Sequence, residues 1–80
     1  MSKNLPSISG RQLISFLIEM GYQVARQRGS HIRLEKLTEA GMHKITIPNH
    51  KIIAKGTLND ILTKVSIWNQ MTKEDLISRL

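Results

Sequence analysis

The sequence predicts an α+β fold, with one helix before a three-stranded antiparallel sheet and two helices after it. Three observations carry that expectation. Apolar residues recur at helical spacing near both ends of the 80-residue chain. The middle alternates apolar and polar side chains with a period of two. Glycine or proline punctuates each change of pattern up to the second helix. A meander with its helices on one face buries the apolar stripes and leaves the other sheet face in water.

Residues 1–8 read as a polar lead-in, and Pro6 disfavours helix immediately before it. Ser9 with Gln12 three positions on is a capping box, which predicts a helix over residues 10–20. Leu13, Phe16, Leu17 and Met20 form its stripe, and Gly21 stops it. Tyr22 to Arg28 reads as a strand, with Tyr22 and Val24 on one face and Gln23 and Ala25 on the other. Gly29-Ser30 is a hairpin turn signal.

In the second strand, His31 to Lys36, Ile32 and Leu34 point one way and His31, Arg33 and Glu35 the other. Leu37 to Met42 reads as a polar loop. Lys44 to Ile47 is the third strand, with Ile45 and Ile47 inward, Lys44 and Thr46 outward, and Pro48 ending the pairing. After a loop from Asn49 to Gly56, Thr57 and Asp60 suggest a second capping box. Leu58, Ile61, Leu62 and Val65 give that helix its apolar face. Ser66 to Met71 is the expected connection to a short final helix, capped by Thr72 and holding Leu76, Ile77 and Leu80.

Residues 1–80 are expected to form a single domain, burying roughly 60–65% of the surface an unfolded chain of this size exposes. With no cysteine, disulfides and thiolate-ligated zinc are excluded. No apolar run is long enough for a signal peptide or a membrane span, so a cytoplasmic protein without a membrane partner is expected. The net charge of +6 is concentrated. Between Tyr22 and Lys55 stand seven basic residues and two acidic ones. Such a basic middle suits a polyanion, of which nucleic acid is the commonest, although a solvated face that aids solubility is the plainer alternative.

Strand alternation places His31, Arg33, Lys44 and Thr46 together on the open sheet face. Histidine exchanges a proton near neutral pH, and a guanidinium fork matches phosphate oxygens. Glu35 is the only carboxylate expected on that strand face, too few to hold Mg²⁺, so no metal and no cofactor are expected. Arg28 and Arg33 are the best candidate phosphate clamps. Ser30 of the turn joins them, with Lys44, Lys51 and Lys55 adding charge; Lys55 lies at a helix start, where backbone amides also favour anions. For any one lysine, solubility is an equally good account. His50 admits three readings: a second proton-transfer group, a phosphate ligand, or a loop residue bonded to backbone. His43, at the mouth of the expected loop, reads as a solvated side chain. Phe16 belongs to the helix stripe and Trp68 to the junction of the last two helices. Tyr22 is then the one aromatic candidate on an exposed strand, which argues against recognition by base stacking.

From about Leu5 to Leu80 the chain resembles the HicA-type toxins of HicA–HicB toxin–antitoxin systems. The resemblance is carried by Ser9-Gly10-Arg11-Gln12-Leu13-Ile14, Met20-Gly21-Tyr22, Arg26-Gln27-Arg28-Gly29-Ser30-His31, Thr46-Ile47-Pro48-Asn49-His50 and Lys55-Gly56-Thr57-Leu58-Asn59-Asp60-Ile61-Leu62. It implies a double-stranded-RNA-binding-domain-like fold and a ribonuclease that cleaves messenger RNA and arrests translation. It also implies a HicB-type antitoxin partner that neutralises the toxin, with scope for a higher-order complex between the two. The family's catalytic histidine, in the Gly-Ser-His turn, falls on His31. The Leu37–Met42 segment departs from the pattern, reading as longer and more charged. Two rivals stand beside this reading: a non-catalytic RNA-binding module of the same fold, and a pure interaction partner whose basic face docks on an acidic protein.

Overall fold

The computed structural model describes residues 5–80, in the order α1 (Gly10–Glu19), β1 (Gln23–Arg28), β2 (His31–Thr38), β3 (Gly41–Pro48), α2 (Lys55–Asn69) and α3 (Lys73–Arg79). The strands form one antiparallel sheet in the order β1-β2-β3. This is the α+β arrangement expected from the sequence. The Ser9 capping box is present in both directions: the Gln12 amide donates to Ser9 Oγ at 3.0 Å, and the Ser9 amide to Gln12 Oε1 at 2.8 Å. Thr72 caps α3 through the Asp75 amide.

The period-two pattern sets the sheet's inner face. Ile32 lies opposite Ile47 and Leu34 opposite Ile45, and all four are buried beneath the helices. From the helical layer, Leu13 and Leu17 of α1 and Leu58, Leu62 and Val65 of α2 complete the core, with Leu76 of α3 against them. Burying one such side chain contributes roughly 1.5–3 kcal/mol, so this shared layer is the main source of stability.

Two tight hairpins organise the strands. Arg28 pairs with His31 across Gly29-Ser30, and Gly29 has φ +59, the positive value a primed turn favours at its first central position. The expected polar loop from Leu37 to Met42 is instead a continuation of β2 and β3. Thr38 pairs with Gly41 around the two-residue turn Glu39-Ala40. The Thr38 hydroxyl stabilises that turn, donating to Gly41 O at 2.8 Å and accepting from the Ala40 amide at 3.1 Å. Backbone pairing outweighs the turn-like side chains there.

Further expectations change for identifiable reasons. Helix α2 begins at Lys55, capped at Ala54 without any side-chain bond, so Thr57 and Asp60 lie inside the helix rather than forming a capping box. It also continues through Asn69, because Ser66 and Ile67 extend the helix until Gln70 turns left-handed at φ 56. Pro48 does not end the pairing short of itself: it lies opposite His31, and the Asn49 amide still donates to Ser30 O at 2.7 Å. The expected lead-in is only partly polar in its setting. Ile8 is buried, Leu5 packs against the core, and Ile8 O accepts from the Ile53 amide at 2.9 Å. The first four residues of that lead-in lie outside the described residues.

Tyr22 and His43 depart most from a solvated reading. His43 is 3% exposed, and its Nδ1 lies 2.6 Å from the buried Tyr22 hydroxyl. Lys36 Nζ donates to Asn69 Oδ1 at 2.5 Å, which orients that amide so that Nδ2 donates to Tyr22 Oη at 3.0 Å and to Val65 O. The Tyr22 hydroxyl is thus hydrogen-bonded both to the Asn69 amide and to His43 Nδ1. Trp68 stacks on the imidazole at 4.9 Å between centroids and 4° between planes. It therefore pins the end of α2 to β3. Burial, with the charge of Lys64 second, holds His43 below the ordinary histidine range. Burial likewise raises Tyr22, and the Asn69 hydrogen bond opposes it in part.

Two outcomes follow from this packing. A Cβ at Gly10 would run into Pro48 O and lie 2.6 Å from Asn49 Cα, both backbone atoms. Gly10→Ala should therefore destabilise by about 1–3 kcal/mol despite the better helix propensity of alanine, measured by urea unfolding. The second concerns pH. The unfolded chain protonates His43 near 6.5 while the folded imidazole resists, so the unfolded state binds more protons at lower pH. Its contribution is complete above about pH 6.5 and is lost as pH falls below that value. Urea midpoints measured from pH 8 to 5 should show the decline, and His43→Gln should flatten it.

Candidate nucleic-acid interface

The open face of the sheet carries the chemistry. In an antiparallel pair, residues directly opposite each other project to the same side. Arg28 is opposite His31, and Arg26–Arg33–Thr46 form the next row of that face across three strands. These five residues line one shallow pocket of about 220 Å³. His31 is exposed, and Arg33 is half-buried against its neighbours.

The presence of both β1 arginines depends on an irregularity. The register shifts between Val24 and Arg26, leaving Ala25 as an extra residue. Strict alternation from Tyr22 would put Arg26 and Arg28 on the inner face with Tyr22 and Val24. The bulge reverses the phase, so both arginines arrive beside His31. Val24, opposite Leu34 but at the sheet edge, is left 50% exposed.

The pocket is strongly cationic. Arg26 faces Arg33 directly, an arrangement that is unfavourable between like charges. No carboxylate is among the residues lining the pocket. Arg26 and Arg28 make no side-chain hydrogen bond or ion pair among the described residues, and Arg33 makes one neutral contact, Nε donating to Thr46 Oγ1 at 3.2 Å. Such a site has the electrostatics to attract an anion.

Of the residues singled out from sequence, the structure brings Arg28, His31 and Arg33 together in the pocket. Ser30 occupies the adjoining turn and uses its carbonyl to hold Asn49. Lys44 is on the same face, opposite Glu35, one row beyond Arg33 and Thr46 and outside the pocket lining. His50 and Lys51 are exposed in the loop after β3. The Asn49–Ser30 bond draws that loop alongside the His31 turn, and His50 O accepts from the Gly10 amide at 2.8 Å. Lys55 is engaged elsewhere, donating to Leu5 O at 2.9 Å. Sequence reasoning did not single out Arg26 as a site residue. Its signal was the Arg-x-Arg spacing, which becomes informative only once the bulge is known.

Comparison with known families places this arrangement. A family model described as "HicA toxin of bacterial toxin-antitoxin" matches residues 10–67, from the start of α1 through most of α2. The protein is thus a toxin of the toxin–antitoxin class, and membership of that class implies a partner antitoxin. The chain belongs to the HicA toxin family. Searches among curated proteins and among solved structures each give no match. Among the described residues, no helix is long and apolar enough to cross a membrane.

Proposed function

We propose that the protein is an endoribonuclease that cleaves messenger RNA at the open sheet face, and that a HicB-type antitoxin neutralises it by covering that face. The observation that carries this reading is the pocket joining His31 to three arginines with no lining carboxylate. Cleavage there uses the ribose 2′-hydroxyl as nucleophile. Its oxygen attacks the adjacent phosphorus, the bond to the 5′-oxygen breaks, and the products are a 2′,3′-cyclic phosphate and a 5′-hydroxyl. One proton leaves the 2′-oxygen and one reaches the departing oxygen.

Guanidiniums stay charged, so His31 is the group in the pocket suited to move either proton. Arg28, directly opposite His31, holds the reacting phosphate, and Arg33 supplies the next cation along β2. Arg28 acts electrostatically, on the negative charge that grows on the phosphoryl oxygens. The donor set is three guanidiniums, an imidazole and a hydroxyl, a poor set for a divalent cation, which supports a route through the chain's own side chains. Ser30, Lys44, His50, Lys51 and Lys55 make up the wider phosphate-binding set of this proposal. His50 is placed by its loop to approach the same end of the sheet.

His31 is exposed and outside the core, so its replacement leaves the fold intact. His31→Ala should lower the rate of RNA cleavage by about 10²–10⁴-fold. RNA affinity should stay within a few-fold of wild type, and the unfolding free energy should change by under about 0.5 kcal/mol. Cleavage-product analysis and RNA titration make the test. A wild-type protein that binds RNA without cleaving it would instead identify a non-catalytic binding module.

A further inference from the structure

The pocket contains two rows of side chains, and the reaction at His31 accounts for only one of them. Arg28 and His31 form the first row; Arg26, Arg33 and Thr46 form the second, two residues further along each strand. Two residues of strand span roughly 6–7 Å. That is also about the distance between successive phosphates of a nucleic-acid strand. We propose that the second row is a subsite for the phosphate next to the scissile one, with Thr46 as the residue that positions Arg33 for it. This rests on the reading of the face as an RNA-cleaving site.

Arg33 is anchored on one side. Its Nε is already used, donating to Thr46 Oγ1 at 3.2 Å. That contact anchors the guanidinium and leaves its two terminal nitrogens to grip a phosphate by two parallel hydrogen bonds. Arg26 stands opposite Arg33 on the other side, unpaired with any carboxylate among the described residues. Two cations held face to face repel each other when empty, and an anion between them relieves the repulsion. The Ala25 bulge puts Arg26 in this row; without it the arginine would turn to the inner face. The substrate class this implies is a single RNA strand with at least two consecutive phosphates.

The test uses dinucleotides, each with one internal phosphate, compared with the same dinucleotide bearing an added 5′-phosphate or an added 3′-phosphate. The RNA forms report kcat/KM. The 2′-deoxy forms, which lack the nucleophile, report affinity by NMR titration. The subsite should raise both quantities by roughly tenfold for one of the two phosphorylated forms, the magnitude of a charge-assisted hydrogen-bonded contact. Which form responds sets the strand polarity. In Thr46→Val and Arg26→Gln that ratio should fall toward one, and Thr46→Ser, which keeps the acceptor, should restore it.

An absent increment in both 2′-deoxy series, or an increment untouched by Thr46→Val and Arg26→Gln, overturns the proposal. An increment in the 2′-deoxy series without cleavage of any RNA form would sustain the subsite and overturn the ribonuclease reading. Thr46 and Arg26 are exposed and outside the core, so the variants remain folded for the comparison.

Discussion

The phase of β1 relative to β2 is the constraint on which the open face depends. One extra residue, Ala25, separates a sheet edge with its arginines turned inward from one with three guanidiniums around an imidazole. Bulges commonly re-aim side chains in this way, and their effect is all-or-none because the side-chain period of a strand is two. The other side of the row is set by the β2–β3 register, which the buried pairs Ile32–Ile47 and Leu34–Ile45 hold in place. With β2 in place, a slip of β3 by one residue would expose Ile45 and Ile47 and turn Thr46 toward the core. Hydrophobic burial on one face therefore enforces charge placement on the other.

The two ends of the sheet have different tasks. At the hairpin end near Glu39-Ala40, His43, Tyr22, Asn69 and Lys36 form a satisfied polar cluster, and Trp68 lies flat on the imidazole. No buried side-chain polar atom is left without a partner among the described residues. This cluster ties α2 to the sheet and makes a rigid support for the opposite end. There His31, Arg26 and Arg28 stand exposed without side-chain partners among the described residues, an arrangement that suits binding of an anion. An antitoxin that covers this face would meet a strongly cationic surface.

Much of this was legible in the residues. The alternation of Ile32 and Leu34 against His31 and Arg33 follows from period-two geometry alone, and the buried stripes of α1 and α2 follow from helical spacing. The bulge was not legible, since nothing local to Val24-Ala25-Arg26 distinguishes a phase change from a regular strand. Charged and small residues at Glu39-Ala40-Gly41 resemble a loop, yet they fit a two-residue turn between paired strands. His43 looked solvated because its partners, Tyr22 and Trp68, are 21 residues before it and 25 after it in sequence; only the tertiary fold brings them together. The family resemblance named His31, and the structure adds what surrounds it.

The most direct test of the account asks where RNA touches the protein. Titrating ¹⁵N-labelled protein with a short 2′-O-methyl RNA, which binds but lacks the free nucleophile, maps the contact by amide shifts. The account predicts the largest shifts at Arg26, Arg28, His31, Arg33 and Thr46, weakening steeply with salt, and little change at Leu13, Leu62 or Trp68 on the helical side. Shifts concentrated on the helices, with the open sheet face silent, would contradict it.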